Sequence, residues 1–306
     1  MTLHDSDRVS VIVPTEAHVS RAASLVRAID SILTQRNVQA TPIVVVNGLR
    51  RDPQIVLHLM NRRGIRMIDL PEGSLPTALR VGRALVDTPC FSVLDDDDEL
   101  LPDALYLRVR ALNEDKRAGA IVTNGFVDVG GSRTLNIDEF AGFEANPLAA
   151  LVRRHWLPPC AGLFRTEAVG PGFFERIPAY LEWTYLAVCI ALHCRIRFVP
   201  RPTFVYHADT LRSLSKSRSD ILAQPAGLLR VLELDLPADI RAHFETRLTK
   251  AHHEISVMEL GEGRRREAWR WHVKSLVGRR GWQHALYTRR LIFRAGPDAA
   301  IDVRTG

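Results

Sequence analysis

The first hundred residues fall into short apolar blocks separated by turn signals. Val9-Ser10-Val11-Ile12-Val13-Pro14-Thr15 is a β-branched run stopped by a proline, which predicts a short buried strand. In Ala22 to Leu33, residues Leu25, Ile29, Ile32 and Leu33 recur at helical spacing. Ile43-Val44-Val45-Val46 ends at Asn47-Gly48, a turn signal. Ile65 to Ile68 is closed by Pro71, and a second helical segment runs from about Pro76 to Val86. Cys90 to Leu94 then reads as another strand. Strand, helix, strand, strand, helix, strand with short connections is an α/β pattern, and it predicts a mostly parallel sheet with helices on both faces.

Directly behind the last of these strands stand five adjacent acids, Asp95-Asp96-Asp97-Asp98-Glu99. Adjacent carboxylates repel one another and are tolerated when exposed or when a cation neutralises some of them. In open α/β sheets the carboxyl ends of strands are where ligands bind. A hard cation, Mg²⁺ or Mn²⁺, takes oxygen ligands and completes its shell with substrate phosphates and water. The run therefore reads as a metal–nucleotide-diphosphate site. It also fits a solvated acidic loop, or the first turn of a helix beginning at Leu100-Leu101, where negative charge is favourable.

The ordered set of blocks resembles glycosyltransferase family 2, the inverting GT-A enzymes. The resemblance is carried by Val9 to Thr15, Val44 to Gly48, Gly73 to Gly82 and Leu94 to Pro102. It continues through Leu163-Phe164-Arg165, Leu181-Glu182-Trp183, Phe198-Val199-Pro200 and Phe204-Val205-Tyr206-His207, spanning about residues 8–218. It implies a GT-A fold: a nucleotide-binding half over about 8–118, an acceptor half over 119–218, and a helical, basic extension over 219–306.

The resemblance also implies roles. The first aspartate of the family's D-x-D motif contacts the nucleotide ribose and the last holds the metal, so Asp95 and Asp97 take those places, with Asp96 and Asp98 open to a one-residue slip. Pro14, Thr15, Glu16, Asn47, Arg80, Asp95 and Asp96 become the nucleotide-sugar contacts. Asn47 stands where the family often has an aspartate; its amide can donate and accept toward a base. Glu182 falls on the family's general base by register with Trp183, which is implied to bind acceptor. A base on the acceptor side is also what direct displacement at an anomeric carbon needs. His207 or Asp209 would complete the metal site. The implied reaction is inverting transfer from a nucleotide-sugar, a UDP-sugar foremost, to a glycan, lipid-linked or small-molecule hydroxyl, with Mn²⁺ or Mg²⁺. The rival readings are a nucleotidyltransferase, disfavoured by the absence of glycine in Pro14 to Arg21, and a non-catalytic binding protein on the same fold.

Charge adds one more expectation. The net charge is +6, and between Arg264 and Arg294 ten basic residues face a single acid, Glu267. Trp269, Trp271, Trp282, Tyr287 and Phe293 are interleaved among them. This pattern fits a helical cap packed by its aromatics, or peripheral contact with an anionic membrane; nucleic acid is not expected. No N-terminal signal and no apolar run long enough to span a bilayer is seen, and the four cysteines lack C-x-x-C spacing. The expected setting is the cytoplasm or the inner membrane surface, with reduced, buried thiols.

Overall fold

The computed structural model describes residues 5–208 and 218–293. The chain divides into two compact units, Met1–Ser213 and Leu214–Gly306.

The first unit opens with β1 (Arg8–Thr15), α1 (Ala22–Leu33), β2 (Gln39–Asn47), α2 (Pro53–Asn61), β3 (Arg66–Leu70), α3 (Leu75–Ala84) and β4 (Cys90–Val93). Every residue of β1 after Arg8 is buried, as expected of a parallel strand covered on both faces. The helical stripe of α1 buries Leu25, Ala28, Ile29 and Ile32. Helix α2 has no counterpart in the hydrophobic pattern because only Leu59 on it is buried. Its start is set by capping: Asp52 Oδ1 accepts from the Gln54 and Ile55 N–H groups at 2.8 and 3.3 Å, and Pro53 supplies the first turn. Helix α3 approaches β1 closely at Gly82, where a Cβ would lie 2.4 Å from Ile12 Cγ2. A side chain there would push the helix off the sheet.

The rest of the unit is β5 (Glu99–Leu100), α4 (Ala104–Glu114), β6 (Ala118–Val129), β7 (Ser132–Leu135), α5 (Pro147–Arg153), β8 (Gly162–Arg165), α6 (Glu182–His193) and β9 (Arg195–His207). The described strands form one sheet in the order β3-β2-β1-β4-β8-β6-β9-β5, with β7 on β6. Strands β3, β2, β1 and β4 are parallel; β8 joins β4 and β6 antiparallel, and β9 is parallel to β6.

One sequence expectation changes here. Glu99 and Leu100 do not start a helix: they pair with Val205 and Phe204. Pro102 disfavours helical backbone at Leu101, and Asp103 sits at φ 62°, so α4 begins only at Ala104. Phe198-Val199-Pro200 and Phe204 to His207, separate segments of the resemblance, fall on one strand, β9, which carries Pro200 and Pro202 across a bulge where pairing steps from Val199–Thr123 to Pro202–Asn124. The bulge accommodates residues that cannot donate to the ladder.

The second unit holds α7 (Arg218–Leu232), α8 (Ala238–Gly261), α9 (Arg265–Val277), a 3-10 turn over Gly281–Tyr287, and α10 (Thr288–Phe293). Its core includes Leu228, Val231, Ile240, Phe244, Ile255, Ala268 and Leu291. Ser256 Oγ donates to the Ala268 carbonyl at 2.7 Å, tying α8 to α9. Among the described residues no helix is long and apolar enough to cross a membrane. Cys90, Cys160 and Cys189 are buried free thiols, and Cys194 is half-buried.

Candidate active site

The strand order places a topological switch point at β1. The chain moves outward from β1 to β2 and β3, then returns to the other side of β1 with β4. The crevice at such a point, beyond the carboxyl ends of the strands, is where open α/β sheets hold ligands. Thr15 ends β1, Asn47 ends β2, and the acidic run follows β4.

The five acids are not equivalent. Asp96 is buried and turned inward, accepting from Thr15 Oγ1 at 2.6 Å and pairing with Arg21. Arg21 also reaches Asp97, 3.3 Å from its Oδ2. Glu99 lies 3.7 Å from Arg27 and 3.4 Å from Arg133. Asp95 and Asp98 have no guanidinium within ion-pair distance among the described residues. Burial pushes the Asp98 carboxyl up to about 8, with Asp97 the next cause, while the His207 N–H and the Cys160 thiol pull it down. Burial, then the charges of Asp98, Asp97 and Asp96, hold Asp95 well above the usual carboxylate range. Burial also raises Asp96, although Arg21 and Thr15 oppose it.

Oxygens of Asp95, Asp97 and Asp98 lie within 4.8 Å of one another. Asp98 Oδ1 accepts from the His207 N–H at 3.0 Å, and its buried Oδ2 has no N–H or O–H partner among the described residues. Three hard oxygen donors, two of them destabilised as anions by their surroundings, fit Mg²⁺ or Mn²⁺. His207 donates its backbone N–H to Asp98, and its ring Nε2 stands 3.6 Å from Glu99 Oε1. Asp209 lies outside the described residues.

The nucleotide-side residues divide similarly. Thr15 Oγ1 accepts from the Ala17 N–H at 2.9 Å and so links the first loop to Asp96. Pro14 is buried and Glu16 half-buried. Asn47 is buried with both ends of its amide engaged: Nδ2 donates to the Thr15 carbonyl at 3.0 Å, and Oδ1 accepts from the Ser74 N–H at 3.1 Å. One N–H and one lone pair remain for a ligand. Arg80 is exposed on α3.

Glu182 is the first residue of α6 and is buried, with Oε1 accepting from the Tyr180 N–H at 2.9 Å. Tyr180 itself sits at φ 63°. Only Cys194 separates α6 from β9, so the helix runs back along that strand. Twelve helical residues rise about 18 Å, the length of five to six strand residues. Glu182 is thus level with about Val199 of β9, which pairs with Thr123 of β6. Pairings Val122–Gly162 and Leu163–Ser92 carry that level across β8 to about Leu94. Glu182 and the acidic run therefore stand at the same end of the sheet. Beside Glu182, the buried Nε1 of Trp183 has no hydrogen-bond partner among the described residues.

A sequence model of Glycosyl transferase family 2 matches residues 10–169, just over half of the chain. The chain belongs to glycosyltransferase family 2. The match takes in β1 to β8 with the acidic run; Glu182 and His207 lie beyond it. The fold is also that of solved structures of TarS from S. aureus. TarS 1-349 in complex with UDP-GlcNAc gives a TM-score of 0.55 at 14% identity, covering 80% of this chain and 72% of that one. TarS 1-349 in complex with UDP gives 0.54 at 16% identity, covering 80% and 71%. A longer TarS structure gives 0.59 at 16% identity, with 80% of this chain and 43% of that chain covered. No match was found among curated proteins.

Two residues at the site escape sequence reasoning. Arg21 reads as one more polar residue before α1, yet it neutralises Asp96 and Asp97 across 75 and 76 positions of chain. Arg108 reads as a surface residue of α4 but is fully buried, donating to Thr203 Oγ1 at 2.6 Å and the Cys160 carbonyl at 2.6 Å. Burial lowers its guanidinium to about 10. It fixes the segment that sets Cys160 against Asp98. Both contacts are tertiary and leave no periodic or motif signal.

Proposed function

We propose that this protein is a metal-dependent, inverting glycosyltransferase that moves a sugar from a nucleotide-diphosphate donor to an acceptor hydroxyl. The observation that carries the reading is the trio Asp95, Asp97 and Asp98 at the β1–β4 switch point of a family 2 chain. The TarS complexes with UDP-GlcNAc and UDP support a nucleotide-sugar donor, with UDP the first nucleotide to test.

In this reading Asp95, Asp97 and Asp98 hold the Mn²⁺ or Mg²⁺. The cation supplies charge neutralisation for the diphosphate leaving group. Arg21 pairs with Asp96 and Thr15 donates to it, so that residue faces inward and braces the turn instead of meeting ligand. Thr15 and Asn47 shape the floor under the nucleoside. Trp183 offers its unpartnered N–H to the acceptor, since a buried donor without a partner costs about 1–3 kcal/mol. Glu182 accepts the proton of the attacking hydroxyl. The new C–O bond forms on the face opposite the breaking bond to phosphate, and the electron pair of that bond leaves with the nucleoside diphosphate. With Glu182 acting as base and no covalent intermediate, this is a single displacement, hence inversion. The acceptor class, glycan, lipid-linked or small molecule, is left to experiment.

A donor-hydrolysis assay over UDP-, GDP- and dTDP-sugars with Mn²⁺ tests the reading. Slow, Mn²⁺-dependent release of one nucleoside diphosphate is expected. No release and no binding of any of them would leave a non-catalytic protein on this fold.

A further inference from the structure

The end of the second unit carries a face that the donor site does not use. From Gly281 to Phe293 the 3-10 turn and α10 have an inner and an outer side. The inner one is packed. His284 stacks on His253 with ring centroids 4.0 Å apart, and Tyr287 meets His253 and His272 edge-on. Thr288 Oγ1 is 2.8 Å from His272 Nε2, and Leu291 is fully buried. On the outer side Trp282, Leu286 and Phe293 are 74, 78 and 78% exposed. Arg289 and Arg290 stand exposed between them, and Arg280 immediately before. From Ala268 to Phe293 the sequence contains no acid.

Large apolar side chains interleaved with exposed arginine are the composition of a segment that lies in a bilayer interface. Trp and Phe seat at the headgroup boundary while cations meet anionic lipid. The structure also narrows the sequence expectation for this region. Trp269 and Trp271 are half-buried, against His272 and between His252 and Lys274. Several of the arginines are engaged. Arg264 pairs with Glu259 and Glu262, Arg265 donates to the Leu291 and Ile292 carbonyls, and Arg270 pairs with Glu267. Arg279 lies 3.6 Å from Glu245, and Arg294 lies outside the described residues.

We infer that the exposed side chains of Trp282, Leu286 and Phe293, with Arg280, Arg289 and Arg290, dock the protein onto the surface of an anionic lipid bilayer without inserting a spanning segment. Charge complementarity selects the occupant: the face is apolar and cationic, and a bilayer rich in acidic headgroups is the matching surface.

The test is co-sedimentation of the full chain with vesicles of phosphatidylglycerol plus phosphatidylcholine and with vesicles of phosphatidylcholine alone. Binding to the first, weak or absent binding to the second, and loss as salt rises are expected. The triple substitution Trp282→Ser, Leu286→Ser, Phe293→Ser should weaken binding by about tenfold or more. It should leave circular dichroism and metal-dependent nucleotide binding unchanged, because all three side chains face outward. The charge variant Arg280→Gln, Arg289→Gln, Arg290→Gln should flatten the salt dependence. Failure to sediment with anionic vesicles at low salt would overturn the inference. So would undiminished vesicle binding by the triple variant. A dimer in solution that dissociates on the same three substitutions would overturn it too, by assigning these side chains to a second copy of the chain.

Discussion

Replacing Asp98 by Asn should make the metal-free protein more stable and the metal-loaded protein less so. Asp98 is fully buried, and its carboxyl is pushed from 3.8 to about 8. A group whose folded pKa lies above its unfolded one binds more protons in the folded state, so its penalty on folding grows as pH rises between the two values. Each pKa unit corresponds to about 1.4 kcal/mol. From about pH 5 to about pH 7.5 the penalty thus grows by about 3 kcal/mol at most, and relaxation around the site will reduce it to about 1–3 kcal/mol. Asn keeps an Oδ1 to accept the His207 N–H and carries no charge, so the variant escapes this term. Urea denaturation in EDTA at both pH values should show the variant gaining on the wild type by that amount at the higher pH. Saturating Mn²⁺, at about a hundred times its dissociation constant, should raise wild-type stability by about 2.7 kcal/mol and the variant's far less, reversing their order. A variant destabilised equally at both pH values, with Mn²⁺ acting alike on both proteins, would refute the reasoning.

Glu182→Gln should retain donor binding and lose transfer by on the order of 10²-fold or more, measured with donor and acceptor saturating; near-normal turnover would assign the proton to another group. Arg21→Gln should cost about 1–3 kcal/mol in chemical denaturation, because among the described residues it leaves the buried Asp96 with Thr15 alone as a side-chain partner; an unchanged midpoint would show that the pair contributes nothing. Gly82→Val should destabilise by about 1–3 kcal/mol or more through contact with Ile12, and a neutral result would mean that α3 shifts without penalty. Proton NMR of the first-formed product should report inversion through its anomeric coupling, and retention would exclude single displacement.

The nucleotide half of the fold was legible because its strands are covered on both faces and read as near-continuous apolar runs, as β1 and β2 do. Helix α2 was not, since one buried residue leaves no periodic stripe. Glu99-Leu100 read as a helix start because acids before leucines look like one; only its partners on β9, more than a hundred residues away, make it a strand. The acidic run was visible as a candidate cation site, but its division of labour was not. Which carboxylates meet guanidinium depends on Arg21, Arg27 and Arg133, placed by tertiary packing. Asn47 illustrates the converse: its position after β2 was legible, while its engagement with Thr15 and Ser74 was not.

The central claim is that Asp95, Asp97 and Asp98 hold a divalent cation against a nucleoside diphosphate. Calorimetric titration of UDP, GDP and dTDP into the protein, with Mn²⁺ and with EDTA, tests it most directly when repeated on Asp97→Ala. The account predicts that one of these nucleotides, UDP first, binds with Mn²⁺, binds far more weakly in EDTA, and loses the metal-dependent part in the folded variant. Equal affinity with Mn²⁺ and EDTA, or undiminished Mn²⁺-dependent binding by Asp97→Ala, would contradict it.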